Sequence, residues 1–121
     1  MKDKVSLLQH KAVLHLIIGT TYNDQTGLYG FSVQSVPYKA IEELAASGRF
    51  RNPKISVSTV SKLRILGEIQ LIFPGGIRVI STPSTYSLYH CDVSISTPMT
   101  ELQSLLISAQ FFVIRNPAQV Q

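Results

Sequence analysis

The run Tyr86-Ser87-Leu88-Tyr89-His90-Cys91-Asp92-Val93-Ser94-Ile95 constrains the fold more than any other stretch of the chain. Aromatic and β-branched residues recur in it, and neither Gly nor Pro interrupts it, which is the pattern of one long β-strand. Side chains alternate faces along a strand. Tyr89, Cys91, Val93 and Ile95 therefore share a core-facing side, and Tyr86, Leu88, His90, Asp92 and Ser94 share the other. The second face sets an imidazole beside a carboxylate, with the chain's only cysteine between them and turned away.

A strand of this kind needs neighbours. Leu28 to Gln34 reads as another strand, with Tyr29, Phe31 and Val33 on one face. Gly30, on its other face, implies a close approach by a helix or a ligand. Met1 to Gln9 is either a frayed tail or a short first strand. Ala12 to Ile18 has apolar residues on both faces and fits a central strand, with His15 as a satisfied core histidine. A helix through Val5, Leu8, Ala12 and His15 is the alternative there, because periodicity does not decide short apolar runs. Ile55 to Val57 forms a short strand, and Ile69-Gln-Leu-Ile-Phe73 and Ile77-Arg-Val-Ile80 form a hairpin around Pro74-Gly75-Gly76, whose glycines supply positive φ.

Three helices are expected between these strands. The first has Ser35 as cap and Pro37 in its first turn, buries Ile41, Leu44 and Ala45, turns Glu42 and Glu43 to water, and stops at Gly48. The second is capped by Ser58, points Val60, Leu63 and Leu66 inward and Lys62 and Arg64 outward, and stops at Gly67. The third is capped by Thr97 with Pro98 following, and its apolar stripe is Leu102, Leu105, Leu106 and Ala109. Phe111 to Ile114 extends this helix or makes a last strand. The reading is a single α+β domain over residues 1–121, with a mixed or mainly antiparallel sheet of about five or six strands and about three helices. Residues 1–4 and 117–121 are expected to be loose tails.

Composition narrows the class. Of 121 residues, 45% are apolar and 15% charged, the opposite of a disordered chain. One cysteine makes no internal disulfide, and the chain opens without a secretory leader pattern, so a reducing, cytoplasmic setting is expected. No apolar run approaches the roughly 18 residues that a membrane span needs. The formal charge is +4. Such a balance permits an acidic protein, an anionic surface or a nucleic acid as partner, and is also ordinary for solubility.

Two clusters carry chemistry. Arg49, Arg51, Lys54, Lys62 and Arg64 hold five of the eleven basic residues, with Phe50 among them. Cations of this kind neutralise phosphates and an adjacent aromatic stacks a base, so RNA or single-stranded DNA suits the segment. The competing reading is a solvated helix face with Phe50 packed back onto the first helix. The second cluster is His90 and Asp92, about 6.6 Å apart along one strand face, where the carboxylate would orient the imidazole.

Several classes lack their signatures. The loop Gly19 to Gly27 has Asp24 as its one acid, too few oxygen ligands for a calcium loop, and it lacks the lysine of a phosphate loop. No Cys-x-x-Cys, His-Glu-x-x-His or Gly-x-Ser-x-Gly occurs, Cys91 faces away from His90 and Asp92, and no cofactor or metal is expected. Two functions remain. One is a small basic interaction module, oligomeric or paired with a protein partner. The other is a metal-independent, toxin-like ribonuclease in which His90 and Asp92 work with His10 or His15, with Lys54 or Arg51, and with Tyr86. The second reading requires Arg51, Lys54 or a second histidine to converge on His90.

Overall fold

The computed structural model describes residues 5–9, 19–37, 39–47, 50–85 and 87–119. Among the described residues, seven strands form one antiparallel sheet and three α-helices pack on it, as an α+β fold. The strands are β1 (Val5–Gln9), β2 (Thr21–Asn23), β3 (Leu28–Pro37), β4 (Lys54–Thr59), β5 (Arg78–Ser81), β6 (His90–Ile95) and β7 (Phe112–Arg115). The helices are α1 (Ile41–Ser47), α2 (Val60–Leu66) and α3 (Glu101–Ser108), and a 3-10 turn follows at Pro117–Gln119. Spatial order is β5-β6-β3-β1-β4-β7, with β2 paired to the first half of β3.

Within β6 the alternation holds for Cys91, Val93 and Ile95, whereas Tyr89 precedes the strand and packs against a different core. Cys91, Val93 and Ile95 are buried and stand opposite Val33, Phe31 and Tyr29 of β3. On this front face they join Val60, Leu63 and Leu66 of α2, Ile107 of α3, and Phe73, Ile77 and Met99. A second core lies on the back face, toward the other end of the sheet. There Ile55 and Val57 of β4 meet Leu44 and Ala45 of α1 and Phe50. The two cores are thus on opposite faces and at opposite ends, because β3 and β6 direct their apolar side chains forward and β4 directs its own backward.

Several boundaries differ from the sequence reading. β6 begins at His90; Ser87 instead pairs with Ser84 in a turn, and the His90 N–H donates back to the Ser87 carbonyl. β3 runs on through Pro37, paired with Val5, so Ser35 and Pro37 are strand residues and the helix starts four residues later. Pairing with β1 on one side and the Ser35 N–H bond to the Tyr89 carbonyl on the other hold this backbone extended. Ser58 is likewise fully buried in β4, and Thr59 caps α2 by accepting from the Lys62 N–H.

Ile69 to Phe73 is not a hairpin arm. Its N–H groups bond three and four residues back, Ile72 and Phe73 both to the Ile69 carbonyl, and these turns carry Phe73 into the front core. Gly75 and Gly76 do take φ of 82° and 87°. What approaches Gly30 is neither a helix nor a ligand: a Cβ there would lie 3.0 Å from the Ser94 hydroxyl and the Val93 carbonyl of β6.

The largest departure is in α3. Thr100, not Thr97, is the cap, in a reciprocal capping box with Gln103. Starting three residues later turns Gln103 and Ile107 inward and leaves Leu102 and Leu105 53% and 60% exposed. Gln103 remains satisfied by donating to the Ile72 carbonyl at 2.7 Å. Pro117–Gln119, expected within a loose tail, form the 3-10 turn, and residues 120 and 121 lie outside the described residues. Asn116 is fully buried, donating to the Phe50 and Asn52 carbonyls and accepting from the Ala118 N–H, and the 3-10 turn packs against α1. The runs Ala12 to Ile18 and residues 1–4, with His10, His15, Gly48, Arg49 and Tyr86, lie outside the described residues.

Candidate functional site

His90 and Asp92 do share the back face of β6, both half-buried, but each is held by a different neighbour. The His90 ring Nδ1 lies 2.7 Å from the Thr82 hydroxyl and 3.1 Å from the Thr82 carbonyl. A carbonyl only accepts, so the Thr82 carbonyl contact is a hydrogen bond when Nδ1 carries the proton, and the Thr82 hydroxyl can serve either tautomer. Asp92 Oδ2 accepts from the Asn23 amide at 3.3 Å. Gln34, opposite His90 on β3, accepts from the Ser87 hydroxyl. The expected orientation of the imidazole by the carboxylate is therefore replaced: Thr82 orients the ring, and Asn23 holds the acid. Thr82 was not legible because the turn that brings it back beside His90 falls within the stretch read as strand.

Among the described residues, neither Arg78 nor Lys54 is level with His90. Arg78 stands opposite Ser94, four residues along from His90 and so about 13 Å away. Lys54 is three strands across the sheet and three residues along from Val57, the β4 residue level with His90, which sets it about 17 Å away. Cys91 faces the front core, 7% exposed, with its thiol donating to the Ser35 carbonyl. Burial, and then the charge of Asp92, push its pKa from 9.0 up to about 11. Among the described residues, no group of three His, Cys, Asp or Glu side chains could hold a metal ion. No helix among them is long and apolar enough to cross a membrane.

The basic segment divides. Phe50 is 6% exposed in the back core, so it has no ring face to offer a base. Its position follows from α1, which ends just before it and packs Leu44 and Ala45 on the same cluster. Arg51, Lys54, Lys62 and Arg64 are exposed. Folding adds two residues that sequence proximity did not supply, both on β7. Arg115 is the direct register partner of Lys54, and Phe112, 52% exposed, has the Lys62 ammonium 6.0 Å from its ring centroid. Only the antiparallel pairing of β4 with β7 brings together these residues, some 60 positions apart in the chain.

A third surface is apolar. α3 ends beside the start of β7, which faces Val57 near the end of β4, where α2 begins. The two helices are in contact, and Gln103 of α3 bonds the Ile72 carbonyl in the turns that follow α2, so Leu102 and Leu105 belong to the same side of the molecule as Ile65, Ile69 and Leu71. All five residues are exposed, Leu71 almost completely. The sequence reading assigned Leu102 and Leu105 to the core, so this face was hidden by its own regularity. The Thr100-x-x-Gln103 box was the signal that would have set the helix register. No protein-family model matches this chain, and no curated protein or solved structure matches it.

Proposed function

We propose that the chain is a small interaction module that pairs with a second copy of itself through the outer faces of α2 and α3. The observation that carries this reading is the inverted α3, which buries Gln103 and presents Leu102 and Leu105 to solvent. With Ile65, Ile69 and Leu71 they expose the equivalent of about three whole aliphatic side chains, worth roughly 5–10 kcal/mol per copy if covered. A face of aliphatic side chains is complementary to itself, as a two-fold contact requires. Two such faces offer roughly 10–20 kcal/mol against an association cost of about 4–15 kcal/mol; the midpoints differ by about 6 kcal/mol, a dimer of tens of micromolar. Of the six exposed cations among the described residues, Lys62 and Arg64 lie on α2 beside Ile65 and the other four (Arg51, Lys54, Arg78 and Arg115) lie off both helices, so the like-charge cost of the contact comes from one pair per copy and should ease with salt.

The ribonuclease reading gains no such support from the described residues, and His10, His15 and Tyr86 lie outside them. Its acid and base are engaged separately by Asn23 and Thr82, and neither Lys54 nor Arg78 approaches His90. Sedimentation equilibrium tests the module. The wild-type chain should dimerise at about 10–100 μM, and Leu102→Ser/Leu105→Ser should be monomeric there with unchanged far-ultraviolet circular dichroism. A wild-type chain still monomeric near 1 mM would leave less than about 4 kcal/mol for the contact and overturn the proposal.

A further inference from the structure

We infer that the edge formed by β4 and β7 binds single-stranded nucleic acid, with Lys54 and Arg115 on phosphates and Phe112 against a base. This surface is separate from the leucine face and does not depend on self-pairing. Three observations converge on it.

The first is charge asymmetry. Of seven described Lys and Arg residues, five (Arg51, Lys54, Lys62, Arg64 and Arg115) belong to β4, α2, β7 or the loop entering β4. None of the six described acids (Asp24, Glu42, Glu43, Glu68, Asp92 and Glu101) lies on those three elements. The second is the register. Lys54 and Arg115 stand directly opposite each other, both exposed, and like charges at such positions repel. No ion pair among the described residues relieves either one. An anion between them converts repulsion into two charge-assisted contacts.

The third is the aromatic. Phe112 lies three residues from Arg115 on the same outermost strand, about 10 Å away, and is half exposed, with the Lys62 ammonium over one face of its ring and the other face left for a base. Cations that track a backbone next to an open aromatic face are what sequence-tolerant single-strand binding uses. Phe112 and Arg115 point to opposite faces of β7, so the nucleic acid crosses the strand edge instead of lying on one sheet face. That geometry suits a flexible single strand and excludes a stiff duplex, which could not wrap a four-residue edge.

The test uses a fluorescently labelled, mixed-sequence single-stranded RNA and fluorescence anisotropy on the full chain, from about 50 to about 200 mM salt. Binding should weaken with salt. Lys54→Gln/Arg115→Gln should weaken it about tenfold or more at the low end, and make the log–log salt slope shallower by about 1.4, or about 0.7 per phosphate contact. Phe112→Leu keeps the apolar character but removes the ring, and should cost at least about fivefold. Arg78→Gln, on the opposite edge of the sheet, serves as the charge control and should change affinity less than about twofold. All three variants should keep the wild-type thermal midpoint, since each residue is exposed. Four results would overturn the inference: no binding at low salt, an Arg78→Gln loss equal to that of the double variant, a Phe112→Leu affinity equal to wild type, or duplex RNA bound as tightly as the single strand.

Discussion

The register of α3 decides more than any other local feature, and one pair of alanine substitutions tests it. Ile107 is fully buried in the front core, among side chains from β3, β6 and α2. Truncation to Ala removes three carbons from a close-packed site and leaves a cavity, which should cost about 2–5 kcal/mol. Leu105, two residues earlier, is 60% exposed. Its truncation removes little buried area and substitutes a better helix former, so the folded monomer should change by no more than about 0.5 kcal/mol. Urea unfolding, followed by circular dichroism at sub-micromolar concentration, keeps self-pairing out of the comparison. With a slope of roughly 1.5 kcal/mol/M, Ile107→Ala should lower the midpoint by about 1.5–3 M, whereas Leu105→Ala should leave it within about 0.3 M. A Leu105→Ala loss as large as that of Ile107→Ala would mean that the Leu102, Leu105, Leu106, Ala109 stripe faces the core after all. The exposed leucine face, and the pairing built on it, would then go.

Two further outcomes follow from buried polar groups. Asn116→Ala strips the hydrogen-bond partners from the Phe50 and Asn52 carbonyls and the Ala118 N–H, and should destabilise the fold by about 2–4 kcal/mol in the same urea assay; a loss under about 1 kcal/mol would contradict the buried network. The Cys91 thiol titrates near 11 in the folded chain and near 9.0 unfolded, so the unfolded state releases its proton first. Its contribution is complete below pH 9 and declines between pH 9 and 11, by roughly 2–3 kcal/mol in all. Comparing wild type with Cys91→Ala across that window isolates this slope from the other titrating groups, and parallel pH profiles would refute it.

How much of this was legible beforehand varies by element, for physical reasons. The faces of β3 and β6 could be read because strict alternation leaves one assignment once a face is apolar. The inward residues of α2 were legible for the same reason at helical period. Helix starts were not: Ser35, Ser58 and Thr97 are all sound caps by residue type, and each lost to sheet pairing or to a better box a few residues on. Ile69 to Phe73 failed differently, since a continuous apolar run carries no period and strand and turn compete evenly for it. At the candidate sites, sequence neighbours misled. Phe50 sits among cations in the chain but inside a core in space, whereas Phe112 and Arg115 join the same cations only through the β4–β7 register. His90 and Asp92 were correctly placed on one face, yet their partners Thr82 and Asn23 depend on turns that no strand pattern announces.

The position of β1 has a consequence for how the molecule assembles. It is the earliest strand in the chain and lies between the two halves of the sheet, pairing with Gln34–Pro37 on one side and Ser56–Thr59 on the other. β5, β6 and β3 belong to the front core, β4 and β7 to the back one, and this five-residue strand is the hydrogen-bonded seam between them. The seam closes only after some 50 further residues have found their place, so folding is governed by long-range loop closure and should be slow for a chain of this size. Displacing β1 would uncover two sheet edges at once, which makes the amino-terminal strand the point where cooperativity between the two cores is won or lost.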